Sequence, residues 1–398
     1  SGPPKTSRSR RSVDAGDGIA GNAEIELFTA VAQHTDAATP AVAETSEPVV
    51  EVEERSTFQI AVERMSGRGP AAHQVWLPPL EVPATLDQLM PDLVADPQLG
   101  LVSPGWRAAG SLVVPLGIVD VPLEQRRENL VVALGGAAGH VAIVGGPLSG
   151  KSTVARTLLT AVALTRTPLE VQFYVLDFGG GTFTGLQRHP HVAGLATRTE
   201  EEAVRRTVAE IEQIIDAREQ FFRQHAIDSI DTYRQRRGAG LVDDGYGDVF
   251  LIVDGWATLR TEYEPLEPRI QAIAARGLSF GVHVVVTANR WLEIRASLKD
   301  LIQTRVELRL GDPTDSEIDR KQALNVTAGR PGHGLAQNRL HMLTALPRVD
   351  GDGDPARLAG GVSDLVAQTA AVGEVAPLPL AQLVLELEDE EHRVSPSE

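Results

Sequence analysis

The stretch Val141–Thr153 reads VAIVGGPLSGKST, and it decides the fold. It matches the phosphate-binding loop pattern G-x-x-x-x-G-K-[ST] without a mismatch, and the fixed positions are Gly145, Gly150, Lys151 and Ser152. Glycines let the backbone bend tightly, so that several N–H groups point into one anion-sized hollow. Lys151 is then expected to reach the β- and γ-phosphates of a nucleotide, and the Ser152 hydroxyl to bind Mg²⁺.

The residues around this loop have the order that the motif needs. His140–Val144 is a short apolar, β-branched run typical of a buried parallel strand, and a helix is predicted from Ser152 to just before Pro168. The positive end of that helix would lie under the phosphates. The predicted nucleotide contacts are the whole loop: Gly145, Gly146, Pro147, Leu148, Ser149, Gly150, Lys151, Ser152 and Thr153. The predicted ligands are ATP and Mg²⁺.

Composition excludes several other kinds of site. The 398 residues include no cysteine, which excludes disulfides, cysteine-ligated zinc and thiol catalysis. The formal net charge of −17 disfavours loose binding to nucleic acid, so no nucleic-acid partner is expected. The basic run Arg8–Arg11 has two interpretations, a solvated tail or a nucleic-acid arm. Because the chain starts at Ser1 rather than at Met, we expect a segment of a longer protein.

Strands and helices are predicted to alternate from the loop onward, which indicates a mostly parallel sheet with helices on both faces. The predicted fold is therefore α/β, a RecA-like P-loop NTPase core. Two earlier strands, Gly110–Asp120 and Asn129–Leu134, predict a small β-containing region just before that core. The predicted core strands are His140–Val144, Glu170–Phe178, Asp248–Asp254, His283–Ala288, Arg305–Leu310 and Leu340–Leu346. The main predicted helices are Phe58–Met65, Glu201–Gln224, Leu266–Leu278, Asp315–Leu324 and Pro355–Thr369.

Changes in composition divide the chain into three predicted parts. Residues 1–65 form a polar leader or linker, and residues 66–375 form the ATPase domain, with its nucleotide core at about 128–350. Residues 376–398 form an acidic tail or exit linker.

The predicted partner of the loop on the magnesium side is Asp254, at the end of the apolar strand VFLIVD. RecA-like motors usually place a Glu or Asp directly after this residue, where it accepts a proton from the attacking water. Here the next residue is Gly255, which has no side chain. Glu262 or Glu264 would have to replace the base from the following loop. We therefore expect tight binding of ATP and Mg²⁺ with slow or no turnover.

Three further residues have two interpretations each. Asp177, in the glycine-rich bend Asp177–Gly181, either meets the water shell of the metal or caps a turn. Asn289, after the strand VVVTA, is either a polar sensor near the γ-phosphate or a plain loop residue. Arg276 is either an arginine finger for a neighbouring site or an ordinary residue at a helix end.

Several motifs together resemble the FtsK/SpoIIIE-like ATPases of type VII secretion, the EccC family, from about His73 to Gly361. The motifs are VAIVGGPLSGKST, EVQFYVLDFGGG, HPHVAGLA, GDVFLIVDGW, RGLSFGVHVVVTANRW, ELRLGDPTDSEIDR and ALPRVDG. The chain is most similar to the second of the three tandem ATPase domains of that family. His333 departs from the pattern, because arginine is expected there.

The resemblance implies a cytoplasmic ATP-binding module, tethered to the plasma membrane through a secretion complex. Its implied partners are the neighbouring ATPase domains, that membrane complex and small helical-hairpin substrates of the Esx type. It also implies a regulatory or substrate-recruiting role for a domain that lacks the catalytic base. The alternative is a DNA translocase of the FtsK class, which should have an acidic pair after the apolar strand and a basic winged-helix tail. This chain ends in Glu and Asp instead.

Overall fold

The computed structural model describes residues 56–68 and 77–371. The chain divides into two units, residues 1–73 and residues 74–398. In the first unit the predicted helix is confirmed as Thr57–Met65, and it begins at a capping box formed by Ser56 and Gln59. None of its side chains is buried. The predicted acidic tail at 376–398 lies outside the described residues, and the boundary predicted after residue 65 stays a prediction.

The described residues of the second unit, 77–371, contain twelve strands, β1–β12 in chain order. Their bounds are Val94–Asp96, Gly100–Val102, Val113–Val121, Arg126–Ala133, Val141–Val144, Val171–Asp177, Val192–Thr197, Asp248–Asp254, Val282–Ala288, Thr304–Leu308, His333–Leu335 and His341–Thr344. The α-helices are Leu86–Leu89, Pro104–Ala108, Lys151–Ala163, Glu201–Gln224, Ile230–Gly238, Trp256–Glu262, Leu266–Gly277, Ala296–Lys299, Arg320–Ala323 and Leu358–Ala371. The helix predicted at Asp315–Leu324 is shorter, because Pro313–Asp315 forms a separate 3₁₀ turn.

Ten of these strands form one sheet in the order β4-β3-β12-β11-β10-β5-β9-β8-β6-β7. Strands β10, β5, β9, β8, β6 and β7 run parallel to one another. The remaining neighbours, from β10 through β11, β12 and β3 to β4, pair antiparallel. The predicted α/β class and the parallel core are confirmed.

The β region predicted just before the core is present as β3 and β4, but it does not form a sheet of its own. These two strands pair with each other and join the main sheet through β12, so they form its antiparallel edge. The physical reason is that β12, which follows the core strands in the chain, adds to the sheet and leaves a free strand edge with which β3 can pair. A short hairpin, β1 with β2, is the β element that stays apart from the main sheet within the described residues.

Helices cover both faces of the sheet, and alternate strand residues point to each face. On β5, Val141 and Ile143 pack into the cluster that contains the helices Lys151–Ala163 and Leu358–Ala371. Ala142 and Val144 pack into the opposite cluster. That opposite cluster contains the helices Glu201–Gln224 and Leu266–Gly277. Burial on both faces explains why the parallel strands are continuous apolar runs.

The parallel strands place their carboxyl ends at one edge of the sheet. Val144 at the end of β5 lies beside Ala288 at the end of β9, and Asp177 of β6 is in register with Asp254 of β8. This edge is where open α/β sheets bind ligands. It brings the phosphate-binding loop and the strand-end carboxylates together.

Candidate functional site

The loop between β5 and the helix Lys151–Ala163 is anchored by its two neighbouring strands. The Gly145 N–H donates to the Ala288 carbonyl at the end of β9, at 3.1 Å, and the Gly146 N–H donates to the Arg309 carbonyl after β10, at 2.8 Å. The far side of the loop is held by the Gly332 N–H, which donates to the Ser149 carbonyl at 2.8 Å. The loop is therefore fixed by backbone contacts on three sides.

Two glycines of the loop are required by geometry. Gly150 precedes the helix with φ of 102°, a left-handed conformation, and a Cβ there would lie 3.0 Å from the Gly332 nitrogen. A Cβ on Gly145 would lie 2.5 Å from the Ser149 hydroxyl oxygen. A residue with a side chain therefore does not fit at Gly145 or at Gly150, the first and last glycines of the motif.

The groups inside this loop fit a phosphate. Lys151 Nζ donates to the Gly145 and Gly146 carbonyls, at 2.8 Å each, so its charge contacts neutral acceptors. Burial lowers the pKa of Lys151, while the charges of Asp254 and Glu293 raise it. The Ser149 hydroxyl is buried and has no hydrogen-bond partner among the described residues. A phosphate would give acceptors to both groups, as the motif requires.

The predicted metal residues lie together at the next strand end. Asp254 is 1 % exposed, and its Oδ1 accepts a 2.7 Å hydrogen bond from the Thr287 hydroxyl. Burial raises the pKa of Asp254, and hydrogen bonds from Thr287 and Ser152 oppose that rise. A carboxylate beside a serine hydroxyl is an oxygen ligand set that suits Mg²⁺. The donor set therefore fits this ion, and Asp254 and Ser152 stay its predicted protein ligands.

The two interpretations of Asp177 are separated by its hydrogen bonds. Its Oδ1 accepts from the Gly179 N–H at 3.0 Å, and its Oδ2 accepts from the Phe183 N–H at 2.9 Å. Both carboxylate oxygens thus stabilise the glycine-rich bend. This bend packs against Asp254, because a Cβ on Gly179 would clash with Asp254 Oδ2. The geometry favours the turn-capping interpretation.

Gly255 lacks a catalytic side chain and also has a backbone that disfavours one. Its φ is 100°, and a Cβ there would lie 3.2 Å from the Phe178 Cβ. Its N–H donates to the Thr287 hydroxyl at 2.8 Å. The two acids considered as substitutes are both exposed, and Glu262 is paired with Arg198 through a 2.6 Å hydrogen bond. Neither contacts Asp254 in the described part of the chain.

Asn289 lies at the edge that carries the loop, directly after Ala288. Its N–H donates to Glu293 Oε2 at 2.8 Å, and the residue is exposed. This place fits a sensor of the γ-phosphate, and that role stays a prediction. Sequence reasoning missed Glu293, whose charge acts on Lys151.

Arg276 lies far from this chain's own loop. It ends the helix Leu266–Gly277, which leads into the start of β9, so it lies at the edge opposite the loop. Its guanidinium pairs with Asp216 at 3.0 Å and with Glu219 at 2.8 Å, and the side chain is 51 % exposed. A finger role would therefore involve another molecule or domain, and it stays a prediction.

Sequence reasoning also missed Thr287 and Gly332. Thr287 binds both Asp254 and Gly255, and the signal for it was a lone hydroxyl in the apolar run VVVTA. Gly332 precedes His333, and its contact with Ser149 shows that this segment supports the loop. His333 itself is buried on β11 and its pKa is lowered by burial.

A cavity of about 900 Å³ opens at the opposite edge of the sheet, away from the loop. Its lining includes four arginines and four carboxylates: Arg107, Arg166, Arg234, Arg237, Glu170, Asp231, Asp243 and Asp248. Three of these arginines pair with the carboxylates of the same wall. A nucleotide is an anion, and the positive charges of this cavity are balanced by carboxylates. The phosphate-binding loop is therefore the better candidate for binding a nucleotide.

Comparison with known proteins shows the family to which the chain belongs. The model of the FtsK/SpoIIIE family matches residues 108–350. The ESX secretion system protein EccC of Thermomonospora curvata is 49% identical over 364 residues, which cover 88% of this chain and 28% of that protein. The chain thus spans little more than a quarter of the length of this relative.

Solved structures give the same result. The cytoplasmic domain of the Thermomonospora curvata type VII secretion ATPase EccC matches with a TM-score of 0.79 at 50% identity, over 83% of this chain and 39% of that one. The same organism's EccC, as ATPases 2 and 3 in complex with a signal sequence peptide, matches with a TM-score of 0.73 at 50% identity, over 76% of this chain and 55% of that one. The resemblance to type VII secretion ATPases is confirmed.

Proposed function

Because this chain belongs to the FtsK/SpoIIIE family, we propose that it is an ATP-binding module of a type VII secretion motor with slow or no hydrolysis of its own. The observation on which this rests is Gly255, which follows the buried Asp254 where a catalytic acid is expected. Loss of a general base lowers a rate by a factor of about 10² to 10⁴. Binding does not need that base, so affinity for the nucleotide is retained.

In this proposal the loop residues 145–153 hold the phosphates of ATP. Lys151 leaves the Gly145 and Gly146 carbonyls and contacts the β- and γ-phosphates, and the unpartnered Ser149 hydroxyl gains an acceptor. Ser152 and Asp254 hold Mg²⁺, partly through water. When bound, Mg²⁺ would neutralise part of the negative charge of the triphosphate.

The role of such a module is regulatory or substrate-recruiting. A bound nucleotide that persists stabilises the folded domain by mass action and can fix a surface for a neighbouring domain. We propose that the chain corresponds to the second ATPase domain, with ATPase domains of the same polypeptide as neighbours. A related protein, EccC as ATPases 2 and 3, was solved with a signal sequence peptide, which supports a secreted protein as the substrate. The substrate class that we propose is small helical-hairpin proteins of the Esx type.

The proposed location is the cytoplasmic side of the plasma membrane, with tethering through the rest of the secretion complex. The name of the related structure, a cytoplasmic domain, supports this location. Among the described residues, no helix combines the length and the apolar character that a membrane span requires.

A DNA translocase of the FtsK class is not favoured. Its hallmark acidic pair is absent at Asp254–Gly255, and the net charge of −17 opposes loose binding to the phosphate backbone. The similar proteins reported above are secretion proteins.

The test is nucleotide binding and turnover by the full chain, compared with Lys151→Ala. We expect wild-type protein to bind ATP in the presence of Mg²⁺ and Lys151→Ala to lose that binding. Lys321→Ala is the matched control, because Lys321 is an exposed lysine on the helix Arg320–Ala323. A wild-type chain that binds no adenine nucleotide would contradict the proposal.

A further inference from the structure

The helix after the phosphate-binding loop has one accessible face. Of its residues Lys151–Ala163, only four are not buried: Lys151, Ser152, Thr153 and Arg156. The first three belong to the loop motif itself. Arg156 lies four residues after Ser152 and three after Thr153, so it projects from the same face of the helix. The motif does not explain an arginine at this place.

The Arg156 side chain extends toward the loop. Side chains on a helix lean toward its N-terminus, and Arg156 Nη2 accordingly approaches the Thr153 hydroxyl oxygen at 3.4 Å. Its guanidinium therefore lies beside the first turn of the helix, at the level of the residues that bind phosphate and metal.

Within residues 56–68 and 77–371, this cation has no anionic partner in direct contact. Arg156 Nε is buried without a hydrogen-bond partner, and the described residues offer it no carboxylate within ion-pair distance. Burial lowers its pKa, while the charges of Asp254 and Asp177 raise it. Those carboxylates accept hydrogen bonds from other groups, however, which include Thr287, Gly179 and Phe183.

A half-buried guanidinium in this state is costly unless an anion satisfies it. Its planar set of N–H donors suits phosphate oxygens, and it has donors left over after the long contact to Thr153. The anion that the neighbouring residues are arranged to bind is a phosphate chain. The accessible face of this helix is the face from which that chain would be reached.

We propose that Arg156 is a second cationic side chain for the phosphate chain of the bound nucleotide, in addition to Lys151. This inference rests on the proposed binding of ATP. It makes Arg156 a binding residue supplied by the same chain, one helical turn beyond the loop motif.

The competing role is structural: Arg156 would only offset the negative charge of Asp254 and Asp177. The two roles predict opposite effects. A phosphate contact makes nucleotide binding weaker when the arginine is lost. A charge offset makes Mg²⁺ binding at Asp254 tighter when the arginine is lost, and leaves nucleotide affinity without Mg²⁺ unchanged.

The test is calorimetric titration of the full chain with ATP and with ADP, each with Mg²⁺ and with EDTA. Arg156→Met keeps much of the side-chain length without the charge, and Arg156→Lys keeps the charge without the fork of donors. Arg206→Met on the helix Glu201–Gln224 is the matched control, since Arg206 is 69% exposed and far from the loop in sequence. Thermal unfolding without nucleotide shows whether each variant is folded.

We expect Arg156→Met to weaken nucleotide binding about 10- to 100-fold in both metal conditions, the range of a charged hydrogen bond to phosphate. Arg156→Lys should give a smaller loss, and Arg206→Met none. Wild-type affinity in a folded Arg156→Met protein, or tighter binding only with Mg²⁺, would overturn the inference while leaving the proposed function intact. If Arg156→Met does not fold, wild-type affinity in Arg156→Lys overturns it. A wild-type chain that binds neither nucleotide contradicts both proposals.

Discussion

Thr287 connects Asp254, the proposed magnesium ligand, to Gly255, which stands where a catalytic base is expected. Its hydroxyl donates to Asp254 Oδ1 at 2.7 Å and accepts the Gly255 N–H at 2.8 Å. One buried side chain on β9 thus fixes both the carboxylate and the left-handed turn that follows it. The backbone at Gly255 is therefore held in a conformation that disfavours any residue with a side chain, including a catalytic base.

Removing the Thr287 hydroxyl should destabilise the site. Thr287→Val leaves the buried Asp254 carboxylate without its shortest described hydrogen bond and the Gly255 N–H without an acceptor. We expect the free energy of unfolding to fall by about 1–3 kcal/mol, measured by urea denaturation. Thr287→Ser keeps the hydroxyl and is the control. A Thr287→Val protein as stable as wild type would show that these bonds contribute nothing.

Restoring an acid at position 255 should not restore hydrolysis. Gly255→Glu places a side chain at φ of 100° with its Cβ 3.2 Å from Phe178. The left-handed backbone alone costs about 1–2 kcal/mol for a residue with a Cβ. We expect a less stable protein with no gain in ATP turnover, and Gly255→Asn, which tolerates this conformation better, to be less destabilised. Brisk hydrolysis by Gly255→Glu would contradict this backbone argument.

Acid should destabilise the fold through His140. Its Nδ1 accepts the Val284 N–H at 2.9 Å, and its Nε2 lies 2.8 Å from the Ala274 carbonyl, so the neutral ring is required. Burial lowers the pKa of His140 to about 4 from 6.5. Because the folded pKa is depressed, this stability is present above pH 6.5 and is lost as pH falls toward 4.

The expected loss for this one group between pH 7.5 and pH 5.5 is about 1 kcal/mol in the free energy of unfolding. His140→Gln, which lacks the titration, should show a smaller loss over the same interval. His225→Gln is the surface control, since His225 is exposed. An unchanged pH dependence in His140→Gln would refute the assignment.

Arg276 should contribute little to the isolated chain. Its ion pairs with Asp216 and Glu219 are exposed, and such pairs contribute about 0–1 kcal/mol. Arg276→Ala should therefore leave both stability and ATP affinity of the isolated chain near wild type, measured by thermal unfolding and titration. If it acts as a finger, its effect will appear only on turnover by an assembled complex. A large loss of ATP affinity in the isolated chain would contradict the position observed.

The phosphate-binding loop and the parallel core could be predicted because each has a local signal. The loop has fixed glycines and a lysine, and buried parallel strands such as β8 are continuous apolar runs. Asp254 could be placed because it ends such a run. Because the carboxyl ends of parallel strands lie at one edge of the sheet, Asp254 could then be predicted to lie near the phosphate-binding loop.

The remaining features depend on contacts between distant segments. The pairing of β3 with β12 joins residues far apart in sequence, and no local pattern specifies it. The short strand β11 and the helix Ile230–Gly238 were missed, because a three-residue strand and a helix rich in charge lack a periodic apolar pattern. The hydrogen-bond partners of Thr287 and Arg156 could not be predicted for the same reason, because these bonds form only once the strands and helices have packed together.

The most direct test of the central claim is the fate of ATP on the purified full chain. The protein is loaded with ATP and Mg²⁺, freed from excess nucleotide, and assayed over time for ATP and ADP, with Lys151→Ala as the reference. The account predicts about one bound equivalent of ATP that remains largely intact, with turnover below about 0.1 per second, because a base is missing beside Asp254. Rapid, repeated conversion to ADP that Lys151→Ala abolishes would contradict it.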